Sequence, residues 1–228
     1  MTVAPLRLLA LILAVALGAG AVVLLVQRGG SPPSGTKGSG VPGTQARDLP
    51  AFDRVELAGS NDVMVHVGGK QLVVVEADDN LLDRVTTRVR TSTLVIANTP
   101  GSFTTRSPMR VDVTVPSLSG LTLSGSGNVV VSGVRADRFD VSLSGSGTLT
   151  GSGAARRLDV TVPGSGSVEF IPLAAKTVRA AVSGSGSIFV TATERLDASV
   201  SGAGAILYAG HPTAVTKNVT GSGAITGS

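Results

Sequence analysis

The feature that most constrains this chain is a tripeptide that recurs on a count. Gly-Ser-Gly or Gly-Ala-Gly begins at Gly125, Gly145, Gly164, Gly184, Gly202 and Gly221, at spacings of 20, 19, 20, 18 and 19 residues. A flexible linker has no reason to keep a period; a stack of equivalent units does. The flanks repeat too. Two residues before each unit stand Leu123, Leu143, Val162, Val182, Val200 and Val219, and four before stand Leu121, Val141, Val160, Ala180, Ala198 and Lys217. Four after each first Gly stand Val129, Leu149, Val168, Ile188, Ile206 and Ile225.

Steps of two are the strand period, with alternate side chains on one face. Each period therefore reads as a strand, a Gly-Ser-Gly bend, a second short strand and a polar turn such as VRADR or TATER. One unit cannot bury its apolar face alone. Stacked units can, so the predicted fold is all-β: a β-solenoid with coils of ~19–20 residues. The corner glycines are expected to bend the chain sharply or to take backbone angles that other residues resist. The serines are expected to hydrogen-bond to nearby backbone. Lys217 breaks an apolar column in the last full repeat, which suits a terminal coil that must cap the core. Phe170, Val190 and Tyr208 share a column and read as core rather than as a sugar-stacking platform.

Composition agrees. Aromatics are 3% of 228 residues, Gly numbers 30, and Trp and Cys are absent. Without Cys there are no disulfides, thiolate metal sites, Cys nucleophiles or lipid-modified N-terminal Cys. The net charge is +4, but Arg7 and Arg28 lie in an acid-free N-terminal segment, so the remainder carries 17 basic against 15 acidic residues. Neither clustered cations nor stacking aromatics point to nucleic acid.

Residues 8–26, LLALILAVALGAGAVVLLV, are 19 uncharged and mostly apolar residues, long enough to cross a bilayer as one helix. Residues 1–28 thus read as a membrane anchor. A cleaved signal peptide, with Ala19–Ala21 as the small-residue site, is the competing reading. Either places the following domain beyond the cytoplasmic membrane: single-pass and anchored, or secreted. Residues 29–50 read as a Gly/Ser/Pro linker in which Gly-Ser-Gly at 38–40 is a flexible tether. Residues 51–228 read as one domain. Its first part is strand-rich but less regular, with GSN at 59–61 standing like a corner and DDNLLDRV at 78–85 as a short helical turn. The segment RVDVTVP at 110–116 nearly repeats RLDVTVP at 157–163.

Chemical motifs are sparse. No corner carries the Lys of a phosphate loop or the Asp of a calcium β-roll. His66 and His211 lie in no catalytic motif. Asp140, Asp159 and Asp197 form a column that a paired-carboxylate glycosidase could use. Each, however, has an Arg two residues earlier (Arg138, Arg157, Arg195), and stacking would set Arg179 between Asp159 and Asp197, so ion pairing is the simpler reading. No catalytic, cofactor-binding or metal residue is identified, no cofactor is expected, and the ligand-binding residues are unknown.

FDRVELAGSNDVMV, VTVPSLSGLTLSGSGNVVVSG and the serial SGSG corners resemble the "putative auto-transporter adhesin, head GIN domain" family (DUF2807), across roughly 51–228. The resemblance implies a right-handed parallel β-helix and an extracytoplasmic setting. It brings no catalytic residues, and this chain lacks the lipid-anchor Cys many members use. The expected function is a membrane-anchored, non-catalytic binding or adhesion module of the bacterial cell envelope. Its expected partners are the membrane, a cell-wall glycan or an envelope protein, with self-association at the last coil conceivable. The alternatives are an accessory protein bracing a membrane partner or, less favoured, a polysaccharide-processing enzyme.

Overall fold

The computed structural model describes residues 35–228. The apolar segment 8–26 and the start of the Gly/Ser/Pro stretch lie outside the described residues; among those described, no helix is long and apolar enough to cross a membrane. The strands in chain order are β1 (Thr36–Lys37), β2 (Pro42–Arg47), β3 (Arg54–Leu57), β4 (Asp62–Val67), β5 (Leu72–Asp78), β6 (Val85–Arg90), β7 (Thr93–Asn98), β8 (Phe103–Thr104) and β9 (Arg110–Val115). Then follow β10 (Gly120–Leu123), β11 (Asn128–Leu143), β12 (Thr148–Val162), β13 (Ser167–Val182), β14 (Ser187–Gly202), β15 (Ala205–Ala209), β16 (Ala214–Gly221) and β17 (Ala224–Gly227). DNLLDR, Asp79–Arg84, forms the expected short helical turn, of 3-10 type.

From β10 onward every pairing is parallel and joins each coil to the next, giving a right-handed solenoid of about five turns. The apolar columns predicted from the sequence are the observed ladders: Leu123 pairs with Leu143, Leu158 with Val178, and Ile188 with Ile206. Their side chains are buried. Each fully buried Val or Leu contributes roughly 1.5–3 kcal/mol, so these columns dominate the stability of the coils. Phe170 and Val190 are core, as expected, and the Phe170 ring stacks on Phe139 at 6.2 Å. Gly151 makes room for it, because a Cβ there would meet the Phe170 ring at 2.6 Å.

The corner glycines are required by close approach. A Cβ on Gly145 would fall on the Gly125 carbonyl oxygen, and one on Gly147 on that of Gly127. The left-handed backbone angles appear only at the last two corners, at Gly202 (φ 139°) and Gly221 (φ 113°). The rungs are tied by backbone: Ser126 N–H donates to the Gly59 carbonyl at 3.2 Å and Ser146 N–H to that of Gly125 at 3.3 Å. The Ser side chains at these positions are exposed, so the backbone amide makes the link that was expected of the hydroxyl. Coil length varies without disturbing the Gly-Ser-Gly corner. The register shifts fall elsewhere, between Val131 and Val134, Thr150 and Gly153, Phe170 and Ala174, and Ala175 and Thr177.

The two ends differ. At the C-terminal end, Lys217 occupies the inward column above Ala198. Its ammonium lies 4.9 Å from the centre of the Tyr208 ring and donates to the Ile225 carbonyl at 3.3 Å, closing over the last core layer. At the other end the stacking leaves chain order. β3 lies between β7 and β10, and β4 between β9 and β11. Antiparallel pairings of β6 with β7, β5 with β9 and β2 with β5 finish the stack. The near-repeats RVDVTVP and RLDVTVP consequently sit on different faces: β9 pairs with the strand that follows a corner, whereas 157–162 precedes one.

The segment expected as a linker, 29–50, is structured over its described part. β2 extends the sheet beside β5, and β1 pairs with β8. The reason is Asp78, which is fully buried and whose carboxylate accepts from Gly40 N–H (2.9 Å), Arg106 N–H (2.8 Å) and the Ser107 hydroxyl (2.9 Å). The Arg106 bond, with those of Ser107 and Gly40, outweighs burial and holds the carboxyl below the usual carboxylate range. Gly38 is needed because a Cβ there would land on this carboxylate. Gly-Ser-Gly at 38–40 is therefore a docked strap.

Candidate binding surfaces

Three polar constellations lie on the described surface. The first is the carboxylate column found in the sequence. Its register is as expected: Asp140 pairs with Asp159, Asp159 with Arg179, and Arg179 with Asp197. Every carboxylate meets a guanidinium. Arg138 contacts Asp140 at 2.7 Å and Asp159 at 2.8 Å, and Arg157 holds Asp159 at 2.9 Å. Arg54 reaches Asp140 and Arg179 reaches Asp197, each at 3.6 Å. The hydrogen bond to Asp159, with its charge, pushes the Arg157 guanidinium up from its ordinary value. A glycosidase needs one carboxyl kept protonated and one kept ionised by unlike environments. Here all three share one kind of environment, each beside an arginine guanidinium, so the geometry does not set one apart from the others. The neighbouring outward column carries Thr122, Ser142, Thr161, Ala181 and Ser199, four small hydroxyls and one methyl beside the charges.

The second constellation joins residues that the sequence keeps far apart. Ser132 Oγ lies 2.8 Å from His66 Nδ1, because β11 stacks directly on β4. A nucleophilic pair also needs the other imidazole nitrogen oriented by a third group. Among the described residues no side chain is hydrogen-bonded to His66 Nε2, and His66 stands exposed on an open strand face. The pair acts as a cross-strand tie. His211 is exposed in the turn after β15.

The third is a cleft of about 490 Å³ where the corner ladder begins, between residues 60–62, the end of β7 and the 99–109 loop. In later coils the inner corner positions must be Gly. Here Asn61 takes the place that Gly127 holds one rung on, and Asn98 stands beside Gly59. Asn98 Nδ2 donates to Asn61 Oδ1 at 3.0 Å, while Ser60 N–H approaches Asn98 Oδ1 at 3.4 Å. Asn61 is 2% exposed. Its Nδ2 and the Thr99 hydroxyl are buried without a hydrogen-bond partner among the described residues. Such an orphaned group costs about 1–3 kcal/mol, which is why few persist. Phe103 and Met109 supply the apolar wall. Sequence reasoning missed this cleft. Its one local signal was the substitution of Asn for Gly in the GSN corner.

Against known proteins, the sequence matches the model of the family described as "Putative auto-transporter adhesin, head GIN domain" over residues 51–212, a span that holds all three constellations. The crystal structure of a "putative adhesin" from Bacteroides fragilis has the same fold at 23% identity, with a TM-score of 0.72 over 85% of this chain and 100% of that one. A "putative lipid binding protein" from Parabacteroides distasonis is 24% identical, with a TM-score of 0.53 over 84% and 98% of the two chains. A "putative adhesin" from Parabacteroides merdae is 18% identical, with a TM-score of 0.52 over 85% and 98%. No curated protein matches the sequence.

Proposed function

The chain belongs to the auto-transporter adhesin head GIN domain family, and on that premise we propose that it works as a non-catalytic binding and adhesion module of the bacterial cell envelope. The observation that carries this reading is the state of the carboxylate column. Asp140, Asp159 and Asp197 are each engaged by an arginine, so the carboxylate column that resembled an acid–base site is an ion-paired face. Rigid polar surfaces with pre-set hydrogen-bonding groups recognise ligands at little ordering cost. In this reading residues 8–26 anchor the chain in the membrane and residues 35–228 lie outside it. Cell-wall glycan and envelope proteins are the partners it meets there.

A second reading, a brace for another envelope protein or a second copy, draws on the open last rung. Val215 is 42% and Val219 44% exposed there, on β16, which among the described residues pairs only with β14. The test uses the full chain in lipid vesicles, incubated with isolated cell wall and with solubilised membrane protein of its own host. Saturable retention by cell wall is the expected result. Retention only through one co-purifying membrane protein would replace the adhesion reading with the brace. Cleavage of added protease-accessible sites within 35–228 in intact cells checks the location, and protection until lysis would contradict it.

A further inference from the structure

We propose that the cleft at the start of the corner ladder is a binding site for a neutral saccharide unit. This rests on the adhesion reading and gives it a ligand class and an address separate from the Arg/Asp face. Five observations combine. The cleft, about 490 Å³, falls within the ~300–1,000 Å³ of small-molecule sites. It is built on two rigid coils and one loop rather than on a mobile tip.

Its free hydrogen-bonding capacity is mixed in sign. The Oδ1 of Asn61 is taken by Asn98, which leaves the buried Asn61 Nδ2 as a donor in search of an acceptor. Asp62 Oδ1 accepts from Asn128 at 3.0 Å, while among the described residues no donor is bonded to Oδ2. The Thr99 hydroxyl can serve either way. A ligand hydroxyl, which both donates and accepts, fits such a set; a ligand that only accepts or only donates does not.

Charge narrows the class further. One carboxylate and no Lys or Arg lines the cleft, so an anionic sugar, a phosphate or a nucleotide is disfavoured. No group of metal-ligating residues occurs among the described residues, so a bridging cation has no evident seat. The partly exposed Phe103 ring also lines the cleft, and Met109 Sδ lies 3.5 Å from the Asn98 amide nitrogen. The negative face of an aromatic ring suits the C–H face of a pyranose. Amides, a hydroxyl and one ring lining the same cleft describe a site for a neutral sugar.

The corner geometry explains why the site occurs once. A Cβ at the equivalent Gly127, Gly147 or Gly166 would collide with the rung below, so only the first corner can carry side chains there.

The experiment titrates the full chain with chitotetraose, maltotetraose and galactotetraose, and with tetragalacturonate as the anionic counterpart. At least one neutral tetrasaccharide is expected to saturate, with tetragalacturonate at least ten-fold weaker. Phe103→Ala and Asp62→Asn are each expected to weaken the neutral ligand ten-fold or more, and Ser146→Ala, exposed and outside the cleft, to leave it unchanged. Asp62→Asn keeps the side-chain shape, so it remains decisive if Phe103→Ala misfolds. Neutral-sugar binding that ignores both cleft variants, or a folded chain that binds none of the three, overturns the cleft. Whether the adhesion reading falls too is read from cell-wall retention of the same sample. Retained wall with unaffected cleft variants sinks the cleft alone, and no retention sinks both.

Discussion

The two parts of the domain solve the same packing problem by opposite means. From β10 onward, rung follows rung in chain order, and the links are backbone amides and apolar columns. Before β10, chain order is broken, strands run both ways, and remote side chains do the holding: Asp78 ties Gly40 to Ser107, Gln71 reaches the Leu49 carbonyl, and Arg47 reaches those of Leu82 and Val85. A repeating stack needs only a common shape, because each rung is the template for the next. An end has no such template and must be finished by particular side chains. The difference therefore separates positions where shape matters from positions where one functional group matters.

The largest effect should come from breaking shape in the regular coils. Gly145→Val puts a side chain onto the Gly125 carbonyl, and neither backbone can yield without leaving its rung. A loss of about 3 kcal/mol in urea unfolding is expected. Ser146→Ala, one residue on and exposed, should stay within about 0.5 kcal/mol of the parent. Equal losses for the two would mean that serine chemistry, not glycine geometry, holds the corner.

Next is the functional group at the irregular end. Asp78→Ala should strip hydrogen-exchange protection from the amides of Gly40, Arg106 and Ser107 and leave the coils after β10 protected. The pH dependence has a definite sign. The folded carboxyl titrates below its unfolded value, so its contribution is present above the unfolded value and lost as pH falls through the folded one. The N-terminal part should loosen first below about pH 4. Asp78→Asn should remove that acid-specific step. Uniform acid melting of both parts would contradict the division.

A third test bears on the open end. Lys217→Val would complete an apolar column at the free edge, between the exposed Val215 and Val219. Inward-pointing charge on an edge strand discourages edge-to-edge pairing. The variant should gain concentration-dependent association by light scattering, while the parent stays unchanged over the same range. The smallest effect is expected on the Arg/Asp face. Arg179→Ala removes a single partly exposed 3.6 Å pair and should shift stability little, and less still at high salt.

These contrasts follow how far the fold was legible in sequence. The regular coils were, because a period of 18–20 residues with two-residue alternation names both the strand and its partner: Leu143 can only lie on Leu123. Lys217 stood out because it broke a column. The end was not legible, because local letters carry no address. Gly-Ser-Gly at 38–40 has the composition of a tether, and only Asp78, placed by β5, turns it into a docked strap. The β6–β7 hairpin turns through Thr91 and Ser92 at positive φ (45° and 62°), without the Gly or Asn that signals such a turn. The carboxylate column could be read as ion-paired from the Arg–x–Asp spacing at Asp140 and Asp159, and from stacking at Asp197, which Arg179 of the rung before holds in place of Arg195. The Ser132–His66 tie and the Asn61–Asn98 cleft could not, because both depend on β4 and β7 stacking out of chain order.

The central claim is that this solenoid binds envelope material without turning it over. The direct measurement incubates the full chain with its host's cell wall, then quantifies both retained protein and the chain length of the glycan. Saturable retention with glycan length unchanged, equal in the parent and in Asp159→Asn, is the predicted result. Shortened glycan from the parent, abolished by Asp159→Asn, would contradict it and make the carboxylate column a catalytic site.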